Sequence, residues 1–174
     1  MASFSPEGQA FQPNRSKTQP LRTNPPKPPH RGSGRARRNE RSSVQAPENA
    51  PTVINNAADA AALFAPSFHG AEGEKIVVAH LDRSARLIGL SDYPGTTDDA
   101  ELPVREIFSD ALRLGTSALI IAHNHPSGDP QPSQADCAAT RTLADTGRSL
   151  GIAVHDHLIF AGGDIVSFRS LGLL

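Results

Sequence analysis

A single cysteine, Cys137, leaves this 174-residue chain without an internal disulfide. The sequence holds no run of eighteen apolar residues and no apolar signal-peptide core, so a soluble, cytoplasmic protein is expected. No G-x-S-x-G elbow is present, which removes the usual support for a serine hydrolase. No internal repeat is apparent. The first fifty residues also lack aliphatic side chains: beyond Leu21 and Val44 there are almost none, against eight prolines and nine Lys and Arg with three Glu, a balance of +6. Such a segment cannot bury enough apolar surface to offset its ordering entropy, so residues 1–50 are expected to be a disordered, basic, Pro/Arg-rich arm.

Residues 51–174 hold eight basic and fifteen acidic side chains, so the whole-chain charge of −1 conceals a basic arm joined to an acidic domain. That length suffices for one domain with its own core. Arg31, Arg35, Arg37 and Arg38 cluster within the arm. Arginines on a flexible chain bind phosphates by counterion release, so non-specific nucleic-acid contact is one expectation for the arm; a solubilising or partner-docking tail is the other. No aromatic residue is interleaved among these arginines, so base stacking is not indicated.

What the domain does contain is the segment from Ala122 to Asp136, with two histidines, a serine and an aspartate at H-x-H-x7-S-x2-D spacing. Residues Ser117 to Ala122 read as a short buried strand, and side chains two apart on an extended chain project the same way, so His123 and His125 can share a metal. Pro126, Gly128, Pro130 and Pro132 then forbid regular structure and force a loop. Ser133 stands where an N-cap belongs, with a helix running on to about Ser149. On that helix Asp136, Ala139, Leu143, Thr146 and Leu150 recur at steps of three and four, which makes Asp136 the start of the inward stripe. Two imidazoles and one carboxylate suit Zn²⁺, and three protein ligands leave a fourth position to water, as in hydrolytic zinc sites. Singly, each residue has a plainer reading: a core histidine, or S-x-x-D as a capping arrangement. Their joint spacing favours the metal.

The other elements can be read coarsely. Asn56 to Phe64 suits a helix ended by Pro66. Lys75 to Leu81 and Ala85 to Leu90 read as strands joined through Asp82-Arg83-Ser84. Val104 to Leu114 places Val104, Ile107, Phe108, Ala111 and Leu114 on one helix face. Ile152 to Phe160 and Ile165 to Phe168 form a second hairpin around Gly162-Gly163. Hairpins mixed with helices imply an α/β (α+β) domain whose mixed sheet is covered by helices.

The metal segment H-N-H-P-S-G-D-P-x-P-S-x-x-D resembles that of the JAMM (JAB/MPN) metalloprotease superfamily in its RadC-like form. The wider pattern of that form, a P-x-E-I-F helix and a terminal D-H strand, corresponds to Pro103 to Phe108 and to Asp156-His157, over about residues 53 to 174. The present helix reads P-V-R-E-I-F, with an insertion. RadC-like proteins commonly carry a helix-hairpin-helix region ahead of this domain, and residues 1–50 do not resemble it. The resemblance implies a three-layer helix–sheet–helix fold and Zn²⁺-dependent hydrolysis of a protein or peptide amide, including isopeptide links. It also implies an upstream glutamate as general base, which Glu74 matches; Glu72 and Glu106 are the alternatives.

Ser133 is either a capping hydroxyl or a donor to the oxyanion of the reacting carbonyl. Cys137 lies one helical step beyond Asp136, about 100° around the axis, and should point away from the metal. His155-Asp156-His157 is a second H-x-H motif. On a strand its histidines share one face with Asp156 on the other, so a second metal is geometrically possible. No third ligand stands at useful spacing, however, and a structural or supporting role is expected, with His157 favoured because the resemblance matches it to the family's D-H. His80 reads as a strand surface residue and His69 as a loop residue. Asp98, Asp99 and Glu101, in a loop spanning Ser91 to Leu102, suggest a preference for basic surfaces. Two other function classes stay open: a nucleic-acid-associated protein of DNA metabolism, on the strength of the arm and of the RadC-like resemblance, and an inactive metal-bound interaction scaffold.

Overall fold

The computed structural model describes residues 53–95 and 102–174; the basic arm, residues 1–50, and the Asp98–Glu101 charges lie outside the described residues. Among the described residues eight elements follow in order: α1 (Ala57–Phe68), β1 (Lys75–Leu81), β2 (Leu87–Pro94), α2 (Val104–Leu114), β3 (Ala118–Asn124), α3 (Gln134–Leu150), β4 (Ala153–Ala161) and β5 (Asp164–Ser167). The strands form one sheet in the order β2-β1-β3-β4-β5. β1 is antiparallel to β2 and to β3, β4 is antiparallel to β5, and β3 and β4 run parallel with α3 as their crossover. A two-residue turn cannot join parallel neighbours, so the metal loop and α3 occupy a connection that the topology requires to be long.

The sheet separates two cores. Leu63 and Phe64 of α1 pack with Val77, Ala79, Ile120, Ala122 and Leu158 on one face. Ile107, Phe108 and Ala111 of α2 and Leu143 of α3 pack with Ile76, Val78, Leu119 and Ile121 on the other. The three layers expected of the domain are thus present. β3 is buried along its whole length, as a central strand with both faces covered must be.

Several local expectations need correction. Pro66 does not end α1, which continues to Phe68. Proline removes one intrahelical bond and crowds the preceding turn, but Phe68 packs on the core and lies 4.7 Å, centroid to centroid, from the Phe160 ring, so tertiary packing holds the last turn. β2 extends past Leu90 to Pro94, so Ser91 to Pro94 are strand rather than loop; Lys75 Nζ lies 3.1 Å from Asp92 Oδ2 and Tyr93 is buried. His80 is fully buried, since β1 is an inner strand covered on both faces. The inward stripe of α3 runs through Asp136, Thr140, Leu143 and Gly147, with Ala139 and Thr146 half-buried. Leu150 is exposed at the last turn, where Gly151 takes the left-handed conformation (φ 71°) and reverses the chain.

Candidate metal centre

His123 is the penultimate residue of β3 and His125 follows the strand's end, where its N–H still bonds the Phe160 carbonyl of β4 at 2.8 Å. The ladder therefore keeps the chain extended through both histidines, and their Nε2 atoms lie 2.8 Å apart. The loop after them is tied by its own polar groups: the Asp129 carboxylate accepts from Gln131 N at 2.9 Å, and the Asp129 carbonyl accepts from His125 Nδ1 at 2.7 Å. That second bond directs the Nδ1 proton to the carbonyl, so the neutral tautomer it selects carries its lone pair on Nε2.

The chain then enters α3 through a capping box. Ser133 Oγ accepts from Asp136 N at 3.0 Å, and Asp136 Oδ2 accepts from Ser133 N at 2.8 Å and from Ser133 Oγ at 2.7 Å. So positioned, Asp136 Oδ1 is 3.3 Å from His123 Nε2 and Asp136 Oδ2 is 3.5 Å from His125 Nε2. One donor atom from each of His123, His125 and Asp136 fits within 4.8 Å of the other two. A pair of imidazole nitrogens and a buried carboxylate converging in this way are a donor set that fits Zn²⁺. Burial, opposed by the charge of Asp136, holds His123 down to about 4, and burial holds His157 well below its ordinary value, so both rings are neutral at pH 7.

Glu74, just ahead of β1, is brought to the same place. Its pKa is raised, first by burial and then by the Asp136 charge, with His125 acting the other way. The Glu74 carbonyl accepts from Gly95 N at 3.0 Å, an approach so close that a Cβ at Gly95 would collide with that carbonyl. Glu72 is exposed in the preceding turn, and Glu106 occupies the first turn of α2. Beside His125 a hollow of about 470 Å³ is bordered by Phe68, His69, Phe160, Gly162 and Ile165.

Among the described residues, the second H-x-H motif takes part in no cluster of three metal-ligating groups. β4 pairs with β3 through a bulge, Leu119 opposite Val154 but Ile120 opposite Asp156, so His155 is the extra residue and strict alternation fails there. His157 reaches the first site, its Nε2 2.8 Å from His123 Nδ1. His155 instead borders a hollow with Asn55, Asp156 and Arg169. Cys137 is half-buried and stands outside the three-residue cluster.

Two residues at the site were not anticipated. Asn124, between the two histidines, bonds the backbone on both sides of Glu74, and Thr140, one turn beyond Asp136, bonds His157. The second was signalled by its i+4 spacing from Asp136, which places it on the same helix face. The first had no local signal, because its partners lie 49 and 51 residues away.

Residues 54–173 match the family model for the RadC-like JAB domain. Among curated relatives, a UPF0758 protein of Rhodobacter capsulatus is 46% identical over 102 residues, covering 58% of this chain and 48% of its own length. A UPF0758 protein of Moorella thermoacetica is 38% identical over 124 residues, covering 71% of this chain and 54% of its own. One from Desulfitobacterium hafniense is 34% identical over 154 residues, 83% of this chain and 68% of its own. The chain thus spans about half the length of the first two.

Proposed function

The chain belongs to the RadC-like JAB domain family, and from that premise we propose that it is a zinc-dependent peptidase or isopeptidase that hydrolyses an amide bond in a protein or peptide. The observation that carries this reading is the convergence of His123 Nε2, His125 Nε2 and the Asp136 carboxylate, with the carboxyl of Glu74 close enough to feel Asp136 and His125. Zn²⁺ held by these three ligands would supply Lewis acidity and a water whose pKa is lowered to about 7.

The chain's own groups account for the proton traffic. Amide hydrolysis needs a base to take the proton of the attacking water and an acid to protonate the departing amine. Glu74 can do both in turn. Its pKa, raised by burial and by Asp136, brings it closer to neutrality than an ordinary carboxylate, which suits a group that accepts and then releases a proton near pH 7. Ser133 is the candidate for the oxyanion. Its hydroxyl proton points to Asp136 Oδ2, so donation to a tetrahedral oxyanion requires the hydroxyl to turn away from that carboxylate. The hollow beside His125, with the Phe68 and Phe160 rings on its wall, offers room for a substrate side chain.

The test is hydrolysis of peptide and isopeptide conjugates by the zinc-loaded chain, with and without a chelator. Cleavage that disappears on chelation and returns with Zn²⁺ supports the reading. Cleavage indifferent to chelation overturns it.

A further inference from the structure

The site contains a chain of hydrogen bonds whose direction can be deduced atom by atom. Thr140 Oγ1 donates to the Asp136 carbonyl at 2.6 Å. A hydroxyl has one proton, so the 2.7 Å contact between Thr140 Oγ1 and His157 Nδ1 must be donated by the imidazole. His157 is buried, and among the described residues its ring nitrogens bond Thr140 and His123 and no carboxylate, so it has no partner for a positive charge. A neutral imidazole with its proton on Nδ1 carries a lone pair on Nε2. That lone pair faces His123 Nδ1 at 2.8 Å, so His123 donates there and carries its own proton on Nδ1. The consequence falls on the far nitrogen: in the neutral His123 ring Nε2 then has no proton, and its lone pair faces His125 Nε2 at 2.8 Å and Asp136 Oδ1 at 3.3 Å, a convergence of lone pairs that a bound cation would satisfy.

We propose that Thr140 and His157 are positioning residues that set the tautomer of His123, keeping its Nε2 open to a metal ion. The proposal rests on the metal reading above and deepens it. The two histidines are prepared differently. His125 is set by a backbone carbonyl, that of Asp129 at 2.7 Å, whereas His123 is set by side chains from α3 and β4. The relay is held mechanically as well. The His157 ring stacks on Phe168 with centroids 4.7 Å apart and an interplanar angle of 20°. Asp156, the residue before it, accepts from Ser167 Oγ at 2.6 Å and from Arg169 N at 3.0 Å, which fixes β4 against the following segment. Because every member is neutral, the relay selects a proton position without adding charge, unlike a carboxylate partner, which would also make the ligand more basic.

Without the Thr140 oxygen, His157 has no acceptor for its Nδ1 proton and is free to carry it on Nε2. That proton would then face His123 Nδ1 and drive the His123 proton onto Nε2, where it blocks the ligand position. Losing such outer partners typically costs about 10–100-fold in metal affinity. Three measurements on the full chain decide the matter. Imidazole ¹⁵N spectra of the metal-free protein are expected to show both His123 and His157 protonated on Nδ1; a His123 protonated on Nε2 overturns the relay and needs no variant. Zn²⁺ competition titrations are expected to show Thr140→Val weakened by about 10–100-fold and Thr140→Ser, which keeps the hydroxyl, close to the unsubstituted protein. Equal affinity in Thr140→Val, or an equal loss in Thr140→Ser, overturns it. Should Thr140→Val not fold, the ¹⁵N spectra decide alone. If the unsubstituted chain binds no Zn²⁺, the metal reading falls and the relay's role falls with it; Zn²⁺ binding with the wrong tautomer removes the relay alone.

Discussion

Asn124 clamps the backbone of Glu74 from both sides: its Oδ1 accepts from Lys75 N at 2.8 Å and its Nδ2 donates to Gly73 O at 3.0 Å. Because Asn124 stands between His123 and His125 on β3, one strand end both presents the two imidazoles and fixes the position of the glutamate.

Asn124→Ala should therefore separate metal binding from catalysis. It leaves His123, His125 and Asp136 in place, so zinc stoichiometry should stay close to one. The two lost bonds lie in a buried region, and stability should fall by about 1–3 kcal/mol. Turnover should fall by up to about 10²-fold, the usual scale for displacing a catalytic group by an ångström. Unchanged turnover would show that the clamp does not govern Glu74.

Asp136→Asn tests the carboxylate while preserving the size of the side chain and most of the cap. Replacing the anionic ligand with a neutral amide should strip zinc from the protein, because the two histidines bind much more weakly than the set of three. Asp136 Oδ2 accepts twice from Ser133, and an amide oxygen can keep those bonds, so the loss of helix stability should stay within about 1 kcal/mol. Metal analysis after dialysis checks the first expectation and thermal melting the second. Full zinc occupancy in this variant would rule out the assigned ligand set.

Glu74→Gln removes the proposed base without touching a ligand. A loss of about 10²–10⁴-fold in turnover at unchanged zinc content is expected. In the unsubstituted chain the proposed base would work only when deprotonated. With its pKa raised by burial and then by Asp136, activity should climb with pH through a limb lying above the ordinary carboxylate value of 4.5, and this limb should vanish in the variant. Ser133→Ala should slow the reaction by about 10²–10³-fold if the hydroxyl serves the oxyanion, and cost only about 1 kcal/mol of stability if it serves the cap. Full activity in Glu74→Gln together with its abolition in Glu106→Gln would move the base to α2.

The contiguous parts of this design were legible in the sequence. His123 to Asp136 span one strand end, one proline-punctuated loop and one helix cap, each written in neighbouring residues, and the bounds of α2, Val104 to Leu114, followed from a strong apolar stripe. What local pattern could not express depends on distant partners. The extra turn of α1 past Pro66 is held by Phe68 against Phe160, nearly a hundred positions later in the chain. The strand continuation through Ser91 to Pro94 has little β propensity of its own and exists because Lys75 to Val78 pair with it. The bulge at His155 reverses the face of every following residue in β4, which is how His157 comes to His123. His80 is inside for the same reason, since sheet order decides whether a strand histidine is buried.

That buried histidine yields a prediction about stability that is independent of the metal. His80 Nδ1 lies 3.1 Å from Thr116 Oγ1 and Nε2 lies 3.0 Å from Ser91 Oγ, both neutral hydroxyls. Burial lowers its pKa from 6.5 to about 4, the nearby Asp110 charge opposing the shift and Arg113 adding to it. In the unfolded chain the ring titrates near 6.5, so between 6.5 and 4 the unfolded state binds more protons than the folded one. Folding is therefore fully favoured above the unfolded value and is progressively weakened as pH falls through this window. The His80 share reaches roughly 3 kcal/mol at the acid end, an upper bound at 1.36 kcal/mol per pKa unit. His123, His155 and His157 are also lowered and add to the same acid sensitivity, so the share must be isolated by difference. In chelator-treated protein, denaturant unfolding at pH 4.5 and pH 7 should show a smaller stability difference for His80→Gln than for the unsubstituted chain, even though the variant is less stable at pH 7. An identical pH difference in the two proteins would mean that His80 does not enter the folded core as a neutral ring.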